Sequence, residues 1–196
     1  MDDDEAPGWD AIEAAVGQHL RPEGGPMHWS TGLLPGQDGV YGISAYRLPG
    51  VWFFVTFGLS ELYAKESDDP AVSGWGFELT MRTPRKHAKE QPPGWPLTLL
   101  RQLGAYVFTN GSPFGPGHRL DPGSTITGSP DTRLTAVAFT TDAKLPEIQT
   151  PNGSLEFLQV VGITGAELQR MHESSTAEVL QDVARQSPEL VTDPAR

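Results

Sequence analysis

Apolar positions along this chain gather into two dense runs, residues 51–57 and 75–81, joined by a polar connection. Both are rich in β-branched and aromatic residues, which fit a pleated, half-buried surface. In the second run Trp75, Phe77, Leu79 and Met81 alternate with Gly76, Glu78, Thr80 and Arg82. A period of two sends the first set to one face of a sheet and the second set to the other. Residues 40–48 have the same strand character, and Pro49-Gly50 marks a turn that makes them a hairpin with 51–57. Residues 58–63 close the hairpin's second strand as a compact turn, and a third strand runs over 75–83. Residues 133–141 form another strand. Pro151-Asn152-Gly153 turns between Ile148 and a long strand over 155–163. There Leu155, Phe157, Val161 and Ile163 take one face and Leu158 and Val160 the other, as in a strand covered on both sides.

Helical spacing takes over elsewhere. Trp9, Ile12, Val16 and Leu20 share a helical face, with Asp10 and Glu13 in the favourable first turn and Arg21-Pro22 as a stop. Trp95-Pro96 opens a second helix whose buried stripe is Leu99, Leu100, Leu103, Tyr106 and Val107, ended by Asn110-Gly111. Thr164 with Glu167, and Ser175 with Glu178, are spaced as capping boxes for two more helices. In the last of these Val179, Leu180 and Val183 face inward, and Ser187-Pro188 ends it. Residues 189–192 are expected to add a short edge strand. Residues 28–38 are expected to be loop with Trp29 tucked beneath it, and 84–94 a polar loop. Residues 110–130 carry five Gly and four Pro. Irregular segments of that length inside a domain tend to be functional, so this one is the expected binding surface.

Composition narrows the function classes. The 196 residues suit one domain, taken as 9–193 behind an acidic flexible tail at 1–8. Apolar content is only 37%, but five Trp and eight Phe supply bulk for a core. The net charge of −11 leaves no basic footprint for nucleic acid. The short basic cluster Arg82, Arg85, Lys86, His87 and Lys89 reads as a solvated loop. An acidic protein instead attracts basic partners. The absence of cysteine excludes disulfides and thiolate chemistry. With no signal peptide and no apolar run long enough for a bilayer, a soluble, cytoplasmic protein is expected.

Catalytic signatures are weak. The five histidines lie far apart with no metal-binding spacing, and no G-x-S-x-G, Walker A or G-x-G-x-x-G string occurs. His118 with Asp121 is a conceivable metal pair, but a loop histidine bonded to backbone explains it more simply. Glu61, Glu78 and Glu156 are candidate carboxylates for acid–base work; for Glu78 and Glu156, in strands, the ordinary explanation is an outward-facing acid. Trp52, Trp75 and Trp95 suit the core. No catalytic, cofactor or metal site is assigned.

Several longer strings are more specific. FGLSELY (57–63), SGWGFELTMR (73–82), PPGWPLTLLRQLGAYVF (92–108) and IQTPNGSLEFLQVVGIT (148–164), with ISAYR (43–47), occur in the order and approximate spacing of the Suppressor of fused domain. The chain resembles that family over roughly residues 9–192. The resemblance implies an α+β fold, a central twisted, mixed but largely antiparallel sheet flanked by helices, like the family's N-terminal domain. It implies a protein-binding role without catalysis. Animal members clamp a peptide of Gli-type transcription factors as an added strand between this domain and a second one, which would begin where this chain ends. Tyr106 matches a tyrosine lining that cleft. The family's Gly-Asp-His is here Pro116-Gly117-His118, and its Thr-Glu-Asp is Thr140-Thr141-Asp142, so each loses one acid.

Single-domain members resemble bacterial immunity or antitoxin proteins, and that is the function expected here: binding and neutralising another protein, such as a basic toxin. The alternatives are a regulatory scaffold that binds peptides at a sheet edge, or an enzyme with a site near Tyr106, His118 and Asp142. The candidate protein-binding residues are Tyr46, Arg47, Glu61, Tyr106, His118, Arg119 and Asp142. Arg47 and Glu61 equally suit an ion pair or a turn.

Overall fold

The two apolar runs pair as antiparallel neighbours near the middle of one mixed sheet. The computed structural model describes residues 5–33, 37–87 and 91–196. Its strands are β1 (Met27–Ser30), β2 (Gly42–Leu48), β3 (Val51–Phe57), β4 (Val72–Pro84), β5 (Arg119–Leu120), β6 (Leu134–Thr141), β7 (Ile148–Thr150) and β8 (Gly153–Thr164). Four helices accompany them among the described residues: α1 (Pro7–Leu20), α2 (Trp95–Asn110), α3 (Gly165–Glu173) and α4 (Thr176–Gln186). Across the sheet the order is β1-β2-β3-β4-β8-β6-β5, with β7 beside the start of β8. The β4–β8 ladder is parallel and the others are antiparallel. The α+β class and the mixed, largely antiparallel sheet therefore hold.

Alternation decides what each face buries. Ile43 and Ala45 of β2, Trp52 and Phe54 of β3, Leu79 and Met81 of β4, and Leu158 and Val160 of β8 lie under Leu99, Leu100, Leu103 and Val107 of α2. The opposite face is shared. Tyr46, Phe53, Val55, Phe57, Leu155 and Phe157 meet Ile12 and Val16 of α1, while Ala136, Ala138, Val161 and Ile163 meet Met171 of α3 and Val179 and Leu180 of α4. The long strand β8 is thus covered on both sides, which is why its pattern is nearly continuous in apolar residues.

Five local expectations need correction. Residues 27–30 form β1, paired with β2, and Trp29 stands 37% exposed on it rather than beneath a loop. Residues 189–192 form no strand; bonds from the Thr192 N–H to the Arg82 carbonyl (2.8 Å), from the Gly162 N–H to Thr192 Oγ1 (2.9 Å) and from Gln159 Nε2 to the Glu189 carbonyl (2.8 Å) tie them to the sheet without forming a ladder. The capping box is reciprocal only at Thr164–Glu167, whereas Ser175 merely accepts from the Glu178 N–H. Within the basic cluster, Arg82 is fully buried and the Arg85 side chain is only 7% exposed, over Trp52 and paired with Glu23. Lys89, like residues 1–4 of the expected tail, lies outside the described residues. Finally, Glu78 is not outward-facing but wholly buried, because the second face of β4 is covered as completely as the first.

Candidate functional site

The site grows from the segment between α2 and β6. Gly111, in the left-handed conformation, ends α2 by donating to the Val107 carbonyl (2.9 Å), and the chain then folds back over β6. Phe114 lies flat on Phe139 of β6 (centroids 4.2 Å, 13°), and Tyr106 stacks on the outer face of Phe114 (5.4 Å, 17°). Tyr106 itself is 40% exposed, so it leaves the expected buried stripe of α2 and presents its ring to solvent. Single exposed aromatics are ordinary, but this one is held rigidly by a second ring anchored in the core.

The same segment makes the sheet's last strand. Gly117 (φ 89°) and His118 both oppose Phe139: the Gly117 N–H donates to the Phe139 carbonyl (2.8 Å), and the Phe139 N–H to the His118 carbonyl (2.9 Å). Two residues against one, the first a left-handed glycine, is a β-bulge, and a bulge re-aims the side chains next to it. Strand β5 begins directly after the bulge, and its Arg119 opposes Ala138. In an antiparallel ladder this next residue turns its own N–H and C=O to the outer side. The Arg119 side chain crosses to the helices, donating to Thr176 Oγ1 (3.2 Å) and His172 Nδ1 (3.1 Å). His118 stays in its loop, where Nδ1 accepts from the Gly115 N–H (3.2 Å).

Tyr106, His118 and Arg119 therefore gather around one sheet edge, and the other candidates do not join them. Tyr46 is buried on the α1 face of β2, and burial first, then the Glu13 charge, pushes its phenol well above the usual range. Arg47 lies over Trp52 (5.6 Å), with Nη2 3.7 Å from Met27 Sδ. Asp142 is buried: Arg82 grips it through Nη1 (2.7 Å) and Nη2 (2.9 Å), Thr80 donates to it (2.8 Å), and the Lys144 N–H donates as well (2.9 Å). Burial works to raise its pKa, but these partners hold it below the usual carboxylate range. With its oxygens so engaged, Asp142 is not brought into contact with Tyr106 or His118.

Glu61 belongs to a different neighbourhood, the turn at 58–63. Its Oε1 accepts from the Glu66 and Ser67 N–H groups (2.8 and 2.5 Å) and its Oε2 from Lys65 (2.9 Å). Burial opposes ionisation, yet these donors bring its pKa down to about 2. The turn is fastened from all sides. Ser73 Oγ accepts from the Glu61 N–H (2.9 Å), the Leu62 carbonyl accepts from the Gly8 N–H of α1 (2.9 Å), and Asn152 Nδ2 donates to the Glu61 carbonyl (2.9 Å). From below, Glu78 Oε1 accepts from the N–H groups of Gly58 and Ser60 (2.9 Å each) and from the Ser60 hydroxyl (2.7 Å), and Oε2 from Thr56 (2.6 Å). Burial nevertheless pushes the Glu78 carboxyl up to about 7. An open cleft of about 430 Å³ lies beside this turn, with Tyr41, Tyr63, Trp75 and Phe108 among its walls.

Sequence reasoning misses Phe114, the burial of Glu78 and this cleft. An aromatic alone in a Gly- and Pro-rich segment is the available signal for Phe114. For Glu78 it is the polar row Glu78, Thr80, Arg82 on a strand flanked by apolar strands. Among the described residues no group of three His, Cys, Asp or Glu side chains is placed to hold a metal ion, and no helix is long and apolar enough to cross a membrane.

Comparison with known proteins gives a consistent result. The family model described as Suppressor of fused protein (SUFU) matches residues 36–196. The human Suppressor of fused homolog is 34% identical over an alignment of 182 residues that covers 83% of this chain and 37% of the human protein. The chain thus spans little more than a third of that relative's length. A chain of the Sufu–Fu complex crystal structure superposes with a TM-score of 0.88 at 29% identity, covering 98% of this chain and 91% of that one. A SUFU homologue from Neisseria gonorrhoeae shares the fold, with a TM-score of 0.62 at 11% identity over 93% of this chain and 91% of its own.

Proposed function

The chain belongs to the Suppressor of fused family, and on that premise we propose that it is a non-enzymatic domain that binds another protein. The observation that carries this reading is the exposed Tyr106 ring, stacked on Phe114 beside the short edge strand β5. Rigid aromatic anchors dominate binding energy at protein interfaces, and a bulged edge offers backbone groups for an added strand. A similar chain was solved in a complex named for two proteins, Sufu and Fu, which agrees with a binding role.

The biological role we assign is that of an immunity or antitoxin protein, cytoplasmic, with residues 9–193 acting as one domain. The net charge of −11 supports a basic partner such as a toxic nuclease, since opposite charge speeds encounter and suppresses wrong partners. Affinity capture with the products of neighbouring genes present should recover one dominant protein, and binding should weaken as salt is raised. Failure to recover a partner at micromolar concentration ends this reading. The second reading is a regulatory scaffold that takes up a partner's strand at β5, favoured by the outward backbone of Arg119. It predicts a captured partner whose own activity is unaffected by binding, whereas an immunity protein abolishes that activity.

A further inference from the structure

The geometry points to a second recognition element: the cleft beside the 58–63 turn receives an arginine side chain presented by the protein partner. This rests on the reading of the chain as a protein-binding domain, but it concerns a surface separate from Tyr106. Tyr106 and Phe108 are two residues apart on α2, about 200° around the helix; Tyr106 faces the β5 side, and Phe108 lines the cleft.

The chemistry of the cleft selects a cation. Its walls include two edge-to-face ring pairs, Tyr41–Tyr63 (centroids 5.8 Å, 75°) and Trp75–Phe108 (5.9 Å, 87°). Aromatic faces attract cations, and guanidinium groups stack on them as well. The exposed carboxylates Asp38 and Glu66 stand at its rim. Among the described residues no Lys, Arg or His lines it. The nearby Lys65 ammonium is committed to Glu61, Ser67 and the Val72 carbonyl. The floor offers little to an anion, because the N–H groups of Gly58 and Ser60 already donate to Glu78. A volume of about 430 Å³ admits a side chain rather than a folded element, and the net charge of −11 favours basic segments at encounter.

The test uses the full chain labelled with nitrogen-15 and the probe Nα-acetyl-arginine amide, with its uncharged citrulline counterpart as control. The arginine probe should shift the Trp75 indole resonance and the Gly58 and Ser60 amides along one saturable millimolar curve. Citrulline should bind at least about tenfold more weakly, the energy scale of one desolvated cation–π contact. Tyr63→Ala and the pair Asp38→Asn with Glu66→Gln should each weaken the arginine probe several-fold, while Tyr63→Phe, which keeps the ring face, should retain it. Equal shifts with arginine and citrulline, or no shift at the cleft, overturn the proposal. The probe needs no protein partner, so the outcome is independent of the capture experiment. A partner that binds normally to the Tyr63→Ala chain would leave the function reading standing and remove only this element.

Discussion

Arg82 and Asp142, one on β4 and the other just past β6, are joined by two hydrogen bonds of 2.7 and 2.9 Å with both side chains essentially out of water. Phe53 lies under the guanidinium (5.0 Å), and Glu189 approaches its Nε at 3.6 Å. Burying two charges is costly, and a pair roughly breaks even only while it stays intact. Removing one partner strands the other. Asp142→Ala should therefore destabilise the fold by about 3–5 kcal/mol. A double replacement, Arg82→Met with Asp142→Leu, should recover much of that loss. Urea denaturation of Arg82→Met, Asp142→Leu and their double variant checks this; additive losses would contradict it.

Gly8 sits within α1, where alanine is ordinarily about 1 kcal/mol better than glycine. Here the sign should reverse. A Cβ at Gly8 would lie 2.3 Å from the Glu61 carbonyl and 2.9 Å from the Leu62 Cα, and neither is the end of a flexible side chain. Gly17 on the same helix has nothing within 4 Å of its would-be Cβ. Gly8→Ala should lower the melting temperature and Gly17→Ala should raise it. If both raise it, the close seating of α1 on the 58–63 turn is wrong.

At the proposed interface, Tyr106→Ala removes an exposed ring and leaves Phe114 in place on Phe139. Partner affinity should fall at least tenfold, the scale of an aromatic hot spot at roughly 1.4 kcal/mol or more. Fold stability should change much less than for Asp142→Ala. Calorimetric titration with the captured partner, set beside a thermal melt, separates the two effects. Unchanged affinity would move the interface away from this edge.

How much of this is legible in the sequence depends on whether the signal is periodic or spatial. The faces of β3, β4 and β8 follow from a period of two, and Gly111 and the Thr164–Glu167 box announce helix ends through local chemistry. Glu78 is not legible, because alternation says only that it opposes Phe77 and Leu79. Whether that opposite face meets water depends on α1 and the chain after α4, both distant in sequence. Asp142 likewise reads as a surface candidate, while its partner Arg82 lies 60 residues away. The Tyr106–Phe114–Phe139 stack combines a helix, a loop and a strand, so no local pattern contains it. Residue type alone groups Tyr46, Arg47 and Glu61 with Tyr106, but the sheet order sets β2 and β5 far apart.

Glu78 also gives the fold a pH dependence whose sign runs opposite to that of most acids. Its carboxyl is raised from an ordinary 4.5 to about 7 by burial, so the folded chain holds a proton that the unfolded chain releases. Its contribution is complete below about pH 4.5 and is lost as pH rises through about 7, a swing of order 3 kcal/mol at one pKa unit per 1.4 kcal/mol. Glu61 and Asp142 have lowered values, so their contributions fade only at acid pH, below this window. The protonated form has a ready partner: Oε2–H can donate to Thr56 Oγ1, whose own hydrogen then turns to the Leu79 carbonyl 3.4 Å away. A glutamine amide reproduces that pattern, with Nε2 donating to Thr56 and Oε1 still accepting from Gly58 and Ser60. Glu78→Gln should thus fold normally and flatten the stability profile between pH 5 and 7.5, whereas Glu78→Leu leaves the two amides of the turn unsatisfied and should be destabilising at every pH. Parallel pH profiles for the wild-type chain and Glu78→Gln would show that the buried carboxyl carries no such proton.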